Sequence, residues 1–370
     1  MHLLSKPIVM FETKPERYAA HPVPSIDEWD QLWKAWDIVT RQMLPDAELK
    51  EKPIKLRNAC VFYLGHIPTF LDIKIVEGTG LKPTEPAYYT KIFERGIDPD
   101  VDNPEHCHAH SEIPDEWPPL EEMLDYQDRV RQRVADFYKT GKAYNDAWAG
   151  RVLWLGFEHE VMHLETLLYM LLQSDKTLPP PGTIKPDFDQ VAKQAARESV
   201  DNEWFDIPEQ TIKIGTDDPD TAEGPLRYFG WDVERPAREI AVNGFKAKAR
   251  PITNGDYAKY LRDTKSDQVP ASWVSVSVTN DTNGHTNANP EIESWLTRKA
   301  VRTVYGPVSL HMALDWPVFA SYDELAGFAT YMGGRIPTVE EARSIYYTVD
   351  SRKKKEATQA LGKAIPAVNG

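Results

Sequence analysis

Apolar residues recur at three- and four-residue steps in four stretches before about residue 174, the period of helices packed on a core. In the first stretch, Trp29, Leu32, Trp33, Trp36, Val39 and Met43 share a face. Ser25 stands before it as an N-cap, Asp27 and Glu28 occupy its first turn, and Pro45 closes it. The second stretch follows Pro53 and carries Ala59, Phe62, Tyr63, His66, Phe70 and Ile73 on one side, with Pro68 expected to kink it. The third runs from Leu120 to Thr140 with Leu124, Val130, Val134 and Phe137 inward. The fourth is capped by Asn145, reaches about Gln173, and aligns Val152, Leu155, His159, Met162, His163 and Met170. Four such helices predict a bundle.

The fourth stripe is unusual because it includes two imidazoles. His159 and His163 lie four residues apart, one turn along the same side of a helix, so both can reach one metal ion. An inward imidazole without a partner costs about 1–3 kcal/mol, and a metal would satisfy both rings. His66 is a third inward histidine. Neutral imidazoles suit iron, copper, nickel or zinc, so ligand type alone does not choose the metal. Three protein ligands would leave coordination positions open for substrate or dioxygen. The run His159-Glu160-Val161-Met162-His163 also matches the H-E-x-x-H pattern of zinc hydrolases, in which Glu160 would polarise a bound water. That helix is apolar nearly all round, which suits a bundle interior better than a substrate cleft.

Between Gly78 and Pro119 the chain loses helical period and reads as a long excursion of the kind used for lids and binding loops. His106-Cys107-His108-Ala109-His110 falls here and is read as a solvated loop. The boundaries read as an extended lead-in over 1–25, the bundle over 26–174, a proline-rich linker over 175–201, and a second domain over 202–370. The second domain alternates short strands with turns, as in Thr211–Gly215, Arg238–Val242 and Phe245–Ala247, and predicts helices from Asn254 and from Tyr322. A net charge of −14 argues against nucleic acid or an anionic membrane as partner. Two cysteines, no secretory leader and no long apolar run point to a cytoplasmic protein.

Several of these stretches together resemble the ergothioneine-type sulfoxide synthases, and the fungal type most. They are Leu64-Gly65-His66-Ile67-Pro68-Thr69-Phe70, Glu158 to Thr166, Glu234-Arg235-Pro236-Ala237-Arg238, Ala249 to Tyr257, and Gly334-Arg335-Ile336-Pro337-Thr338-Val339-Glu340-Glu341. The resemblance covers nearly the whole chain from about residue 25. It implies an α+β multidomain protein: an N-terminal DinB-like four-helix bundle, then an incomplete C-type-lectin-like domain of the sulfatase-modifying-factor (formylglycine-generating) type. It further implies a mononuclear non-haem Fe(II) held by His66, His159 and His163. The family uses dioxygen to join hercynine to a cysteine thiol through a C–S bond with oxidation to the sulfoxide. Arg95 is a candidate for a substrate carboxylate, and Asp315, Trp316 and Arg335 read as structural. Tryptophan- and glycine-rich segments and a catalytic tyrosine expected later in the second domain have no match here, nor does a preceding methyltransferase. A truncated synthase is therefore expected, impaired or completed by a separate polypeptide. The alternatives are a noncatalytic metal-binding relic or partner subunit and, as a minor one, the zinc hydrolase.

Overall fold

Ser25 opens the first helix by a reciprocal cap. Its hydroxyl accepts the Glu28 amide at 3.2 Å, while the Glu28 carboxylate accepts the Ser25 amide at 2.6 Å. In this computed structural model the described residues are 23–55, 57–94, 97–99, 107–109, 114–218, 230–276 and 298–364. They form two compact units. The first holds the residues up to Thr183 together with Asp218, Gly230 and Trp231; the second holds Ile184–Asp217 and the residues from Asp232 onward. Arg95, His106 and His110 lie outside the described residues, as does most of the lead-in.

In the first unit, α1 (Ile26–Ile38) buries Trp29, Leu32 and Trp36, then widens into a π-helical turn over Val39–Met43 before Pro45. Helix α2 (Cys60–Thr79) begins later than the Pro53 start and runs continuously through Pro68. The missing proline N–H leaves the Leu64 carbonyl without its helical donor, but no break follows. Gly80, at φ 67°, ends α2 with its N–H on the Val76 carbonyl. The excursion after Gly78 is more ordered than its sequence predicts: it contains α3 (Tyr89–Phe93) and the antiparallel pair β1 (Ile97–Pro99) and β2 (Cys107–Ala109). Helix α4 (Leu120–Lys139) follows, burying Met123, Tyr126, Gln127, Val130, Val134 and Phe137. A short α5 (Lys142–Asn145) precedes α6 (Ala147–Leu171). Asn145 therefore ends α5, and Asp146 caps α6 by accepting the Ala149 amide at 3.0 Å.

Helix α2 is the inner member of this unit, buried on nearly every side from Cys60 to Thr69. Glycines let its neighbours close on it. A Cβ at Gly65 would fall 2.3–2.5 Å from the Phe93 ring, and one at Gly156 would fall 2.5 Å from Leu71. The fully buried Asp72 holds the loop before α3 against α2 and α4. It accepts the Thr84 amide at 2.8 Å, the Thr84 hydroxyl at 2.6 Å, and the Arg133 guanidinium.

The second unit opens with α7 (Phe188–Glu198), capped by Asp187, so the expected linker over 175–201 contains a helix. Strand β3 (Trp204–Ile207) pairs with β6 (Phe245–Lys248), and β4 (Gln210–Ile214) with β5 (Arg238–Val242), each antiparallel. Helix α8 (Asn254–Asp263) is capped by Thr253 rather than Asn254. The freed Asn254 side chain instead ties the Trp273 indole to the Ala313 carbonyl at 2.9 and 3.0 Å. A three-stranded sheet of β7 (Trp273–Ser275), β8 (Lys299–Val301) and β9 (Val308–Ser309) follows, then α9 (Tyr322–Tyr331) and the long α10 (Val339–Ala364). Two small cores result, one around Tyr257, Trp273, Leu310 and Phe328, the other around Ile212, Ile214 and Val242. Asp315 pairs with Arg250 at 3.1 Å, Arg335 pairs with Glu341 at 2.6 Å, and the Trp316 ring stands 5.7 Å from Phe188. All three sit in structural contacts. No helix among the described residues is long and apolar enough to cross a membrane.

Candidate metal centre

His66 projects from the middle of α2, and His159 and His163 from successive turns of α6. One ring nitrogen from each lies within 4.8 Å of the others. The ring centroids stand 5.1 Å (His66 to His159), 5.0 Å (His66 to His163) and 4.5 Å (His159 to His163) apart. Each imidazole is also held by an aromatic neighbour. Phe70 stacks on His159 at 3.7 Å, Phe62 on His66 at 5.0 Å, and Tyr63 tilts against His163 at 5.5 Å. Phe62, Tyr63 and Phe70 share the apolar stripe of His66, so one period of α2 supplies both a candidate ligand and the walls.

The His66 Nδ1 lies 2.7 Å from the Phe93 carbonyl oxygen. A carbonyl can only accept, so Nδ1–H donates and Nε2 keeps its lone pair, the tautomer that a ring needs to ligate a cation. Gly65 permits this bond by admitting the Phe93 residue so close to α2. The carbonyl escaped the sequence reading because a backbone acceptor twenty-seven residues away leaves no side-chain signature.

Burial disfavours the imidazolium in all three rings. The pKa of His66 falls to about 4, with the Phe93 bond opposing part of the shift. That of His163 falls to about 3, through burial first and then the charges of His66 and Arg57. His159 is held well below its ordinary value by burial, with His163, His66 and Lys74 adding to it. All three are neutral donors at pH 7. The His163 Nδ1 is buried without a hydrogen-bond partner, as are Thr69 Oγ1 on α2 and Glu160 Oε1 on α6; what sets His163 apart is that its ring converges with two others. Convergent neutral donors, a set tautomer and an unpaired ring nitrogen fit a metal ion.

Two details of α6 differ from the stripe read in sequence. Met162 is 45% exposed, and Val161, Leu168 and Tyr169 join it on an open face, so α6 is not buried all round. Glu160 is the buried residue instead, at 3% exposure. Its carboxylate is not among the converging ligand atoms. Burial pushes its pKa up to about 7, against the lowering influence of Arg131 and Trp33. A carboxylate enclosed beside Trp33, Asp37 and Arg131 is poorly placed for the water-polarising role of an H-E-x-x-H glutamate.

Residues 27–167 match the DinB superfamily model. Across its whole length the chain is 57% identical to Ergothioneine biosynthesis protein 1 of Neurospora crassa, and it spans 44% of that protein. The protein of the same name from Schizosaccharomyces pombe is 32% identical over 93% of the chain, again spanning 44% of its length. The chain thus covers less than half of each of these relatives. The inactive C-alpha-formylglycine-generating enzyme 2 of Bos taurus is 29% identical over 36% of the chain and 45% of its own length. The C-terminal region with its small sheets is similar to this formylglycine-generating type. The helical unit that holds the three histidines is DinB-like, and the chain is similar over nearly its whole length to the fungal ergothioneine biosynthesis proteins.

Proposed function

We propose that the chain carries the metal centre of a non-haem Fe(II), dioxygen-dependent sulfoxide synthase, joining hercynine and cysteine through a C–S bond in ergothioneine biosynthesis. The observation that carries this is the convergence of His66, His159 and His163 in a chain similar throughout to Ergothioneine biosynthesis protein 1. Bound Fe(II) would supply one-electron chemistry towards dioxygen and coordination positions open to a thiolate and an imidazole. The chain's own contribution is to keep three donors neutral and aligned. The Phe93 carbonyl sets the His66 tautomer, Phe70 fixes the plane of His159, and Tyr63 bounds His163. The aromatic and histidine-rich surroundings offer apolar walls to a quaternary ammonium substrate. A cytoplasmic setting with reduced thiols suits both Fe(II) and a free cysteine substrate.

Metal analysis of anaerobically purified protein tests this. About one iron per chain is expected in the wild type, lost in both His66→Ala and His159→Ala. The sulfoxide product should require Fe(II), dioxygen, hercynine and cysteine together. Zinc retained without His66 would overturn the proposal, and iron bound without turnover would leave the noncatalytic alternative in its place.

A further inference from the structure

Arg57 stands three residues before α2 and is exposed. Its Nη2 donates to the Tyr169 hydroxyl on α6 at 2.6 Å, and its guanidinium carbon lies 5.7 Å from the Tyr169 ring centroid. One cation thus bridges the start of α2 and the last turns of α6, the two helices that carry the histidines. Tyr63, six residues after Arg57, tilts against the His163 ring, and Tyr169 stands six residues beyond His163 on α6. Among the described residues no carboxylate pairs with Arg57. A guanidinium offers five N–H donors, and among the described residues one Arg57 nitrogen, Nη2, bonds to a side chain. Other arginines of this unit are committed to acids: Arg131 to Asp37, Arg133 to Asp72, Arg151 to Asp218. An exposed guanidinium that is oriented by a neutral phenol and lacks a counter-ion is suited to binding an external anion.

We propose that Arg57, oriented by Tyr169, is a carboxylate-binding arm at the edge of the three-histidine site and takes the α-carboxylate of an amino-acid substrate. This rests on the assignment of that site to a metal centre for small amino acids. Both proposed substrates carry a carboxylate, and the chemistry recognised is the same in each. The planar fork pairs two-point with a carboxylate, which lysine cannot do. Its charge also raises the local concentration of anionic over neutral ligands.

Anaerobic calorimetric titration of the Fe(II)-loaded chain distinguishes the sources. L-cysteine is compared with cysteamine, and hercynine with its decarboxylated counterpart. Arg57→Gln should weaken one carboxylate-bearing ligand about tenfold, the loss of a charge-assisted pair. The decarboxylated member of that pair and the iron content should stay unchanged. Arg57→Lys should recover part of the loss, and Tyr169→Phe should weaken the same ligand by less than Arg57→Gln. Equal weakening of both members of each pair, or no weakening of either acid, would overturn the proposal and leave Arg57 a clip between two segments. A wild-type chain without metal would sink the proposed function, whereas Arg57-dependent binding of L-cysteine in that same chain would still uphold the arm.

Discussion

Helix α2 carries two buried polar clusters, one around Asp72 and one around His66, and they are finished in opposite ways. Asp72 is fully enclosed and its oxygens meet Arg133 and both donors of Thr84. The histidine cluster contains three rings that repel each other's protons, and His163 Nδ1 has no hydrogen-bond partner. A buried polar group kept for structure is closed by the protein, because an open one is costly. Three neutral donors that converge on one point, rather than a single open nitrogen, point to something that arrives from outside. The pair of clusters therefore separates architecture from function on one helix.

The largest expected effect lies at the closed cluster. Asp72→Ala should cost about 3–5 kcal/mol in urea unfolding, since it strands a largely buried guanidinium, and added metal should not rescue it. His163→Gln in the metal-free chain should cost about 1 kcal/mol or less, because no internal bond is lost. If the two substitutions cost the same, the distinction between the clusters fails.

Acid should next separate them. His66 and His163 titrate at about 4 and about 3 in the folded chain, below their ordinary 6.5. The unfolded chain therefore binds protons first as pH falls below about 6.5, and folding stability drops until about pH 3, where the folded rings have taken up protons too. By these two shifts about 6 kcal/mol should be lost between pH 6.5 and 4 in metal-free protein. Saturating metal should raise stability across the upper part of this window by a nearly constant amount and carry the decline below about pH 3, because it binds only the neutral rings and keeps the folded chain from taking up protons. A decline that still ends at about pH 3 with metal present would mean that the histidines are not its ligands.

Gly65→Ala is a finer probe, costing about 2 kcal/mol by overpacking against Phe93. It should also lower metal affinity, because the displaced Phe93 carbonyl no longer sets the His66 tautomer. Loss of stability with full metal affinity would show that the carbonyl bond is dispensable. The smallest effect is at Glu160. Its pKa is raised to about 7 from 4.5, so its contribution to stability is present below pH 4.5 and is lost as pH rises through 7. Glu160→Gln should gain about 1 kcal/mol at pH 8 and nothing at pH 5, with iron content intact. Loss of iron instead would return Glu160 to the metal site.

Much of this was legible in the order of residues. Trp29, Leu32 and Trp36 repeat with the helix period and are buried, and the Ser25 cap with Glu28 three residues on is a local signal that survives folding. The second unit's strands at Gln210–Ile214 and Arg238–Val242 were visible because their flanking turn residues bound short β-prone runs. Less legible were α3 and the β1–β2 pair. Five- and three-residue elements carry too few positions for a period to emerge above the prolines around them. Met162 lies open and Glu160 is covered, against the apolar stripe, for a different reason. A stripe of apolar positions identifies a helix face, but neighbours choose which part of it is covered, and at α6 they cover the side of Glu160.

By itself the sequence determined that His159 and His163 share one side of a helix, since spacing and backbone geometry leave no choice. It also determined that His66 belongs to an inward stripe. Only the tertiary structure decided that those two faces meet, that the Phe93 carbonyl sets the His66 tautomer, and that Arg57 reaches Tyr169. Local periodicity fixes directions around one helix axis, whereas convergence to within 4.8 Å depends on how separate segments pack, which Gly65 and Gly156 permit and no single stretch encodes.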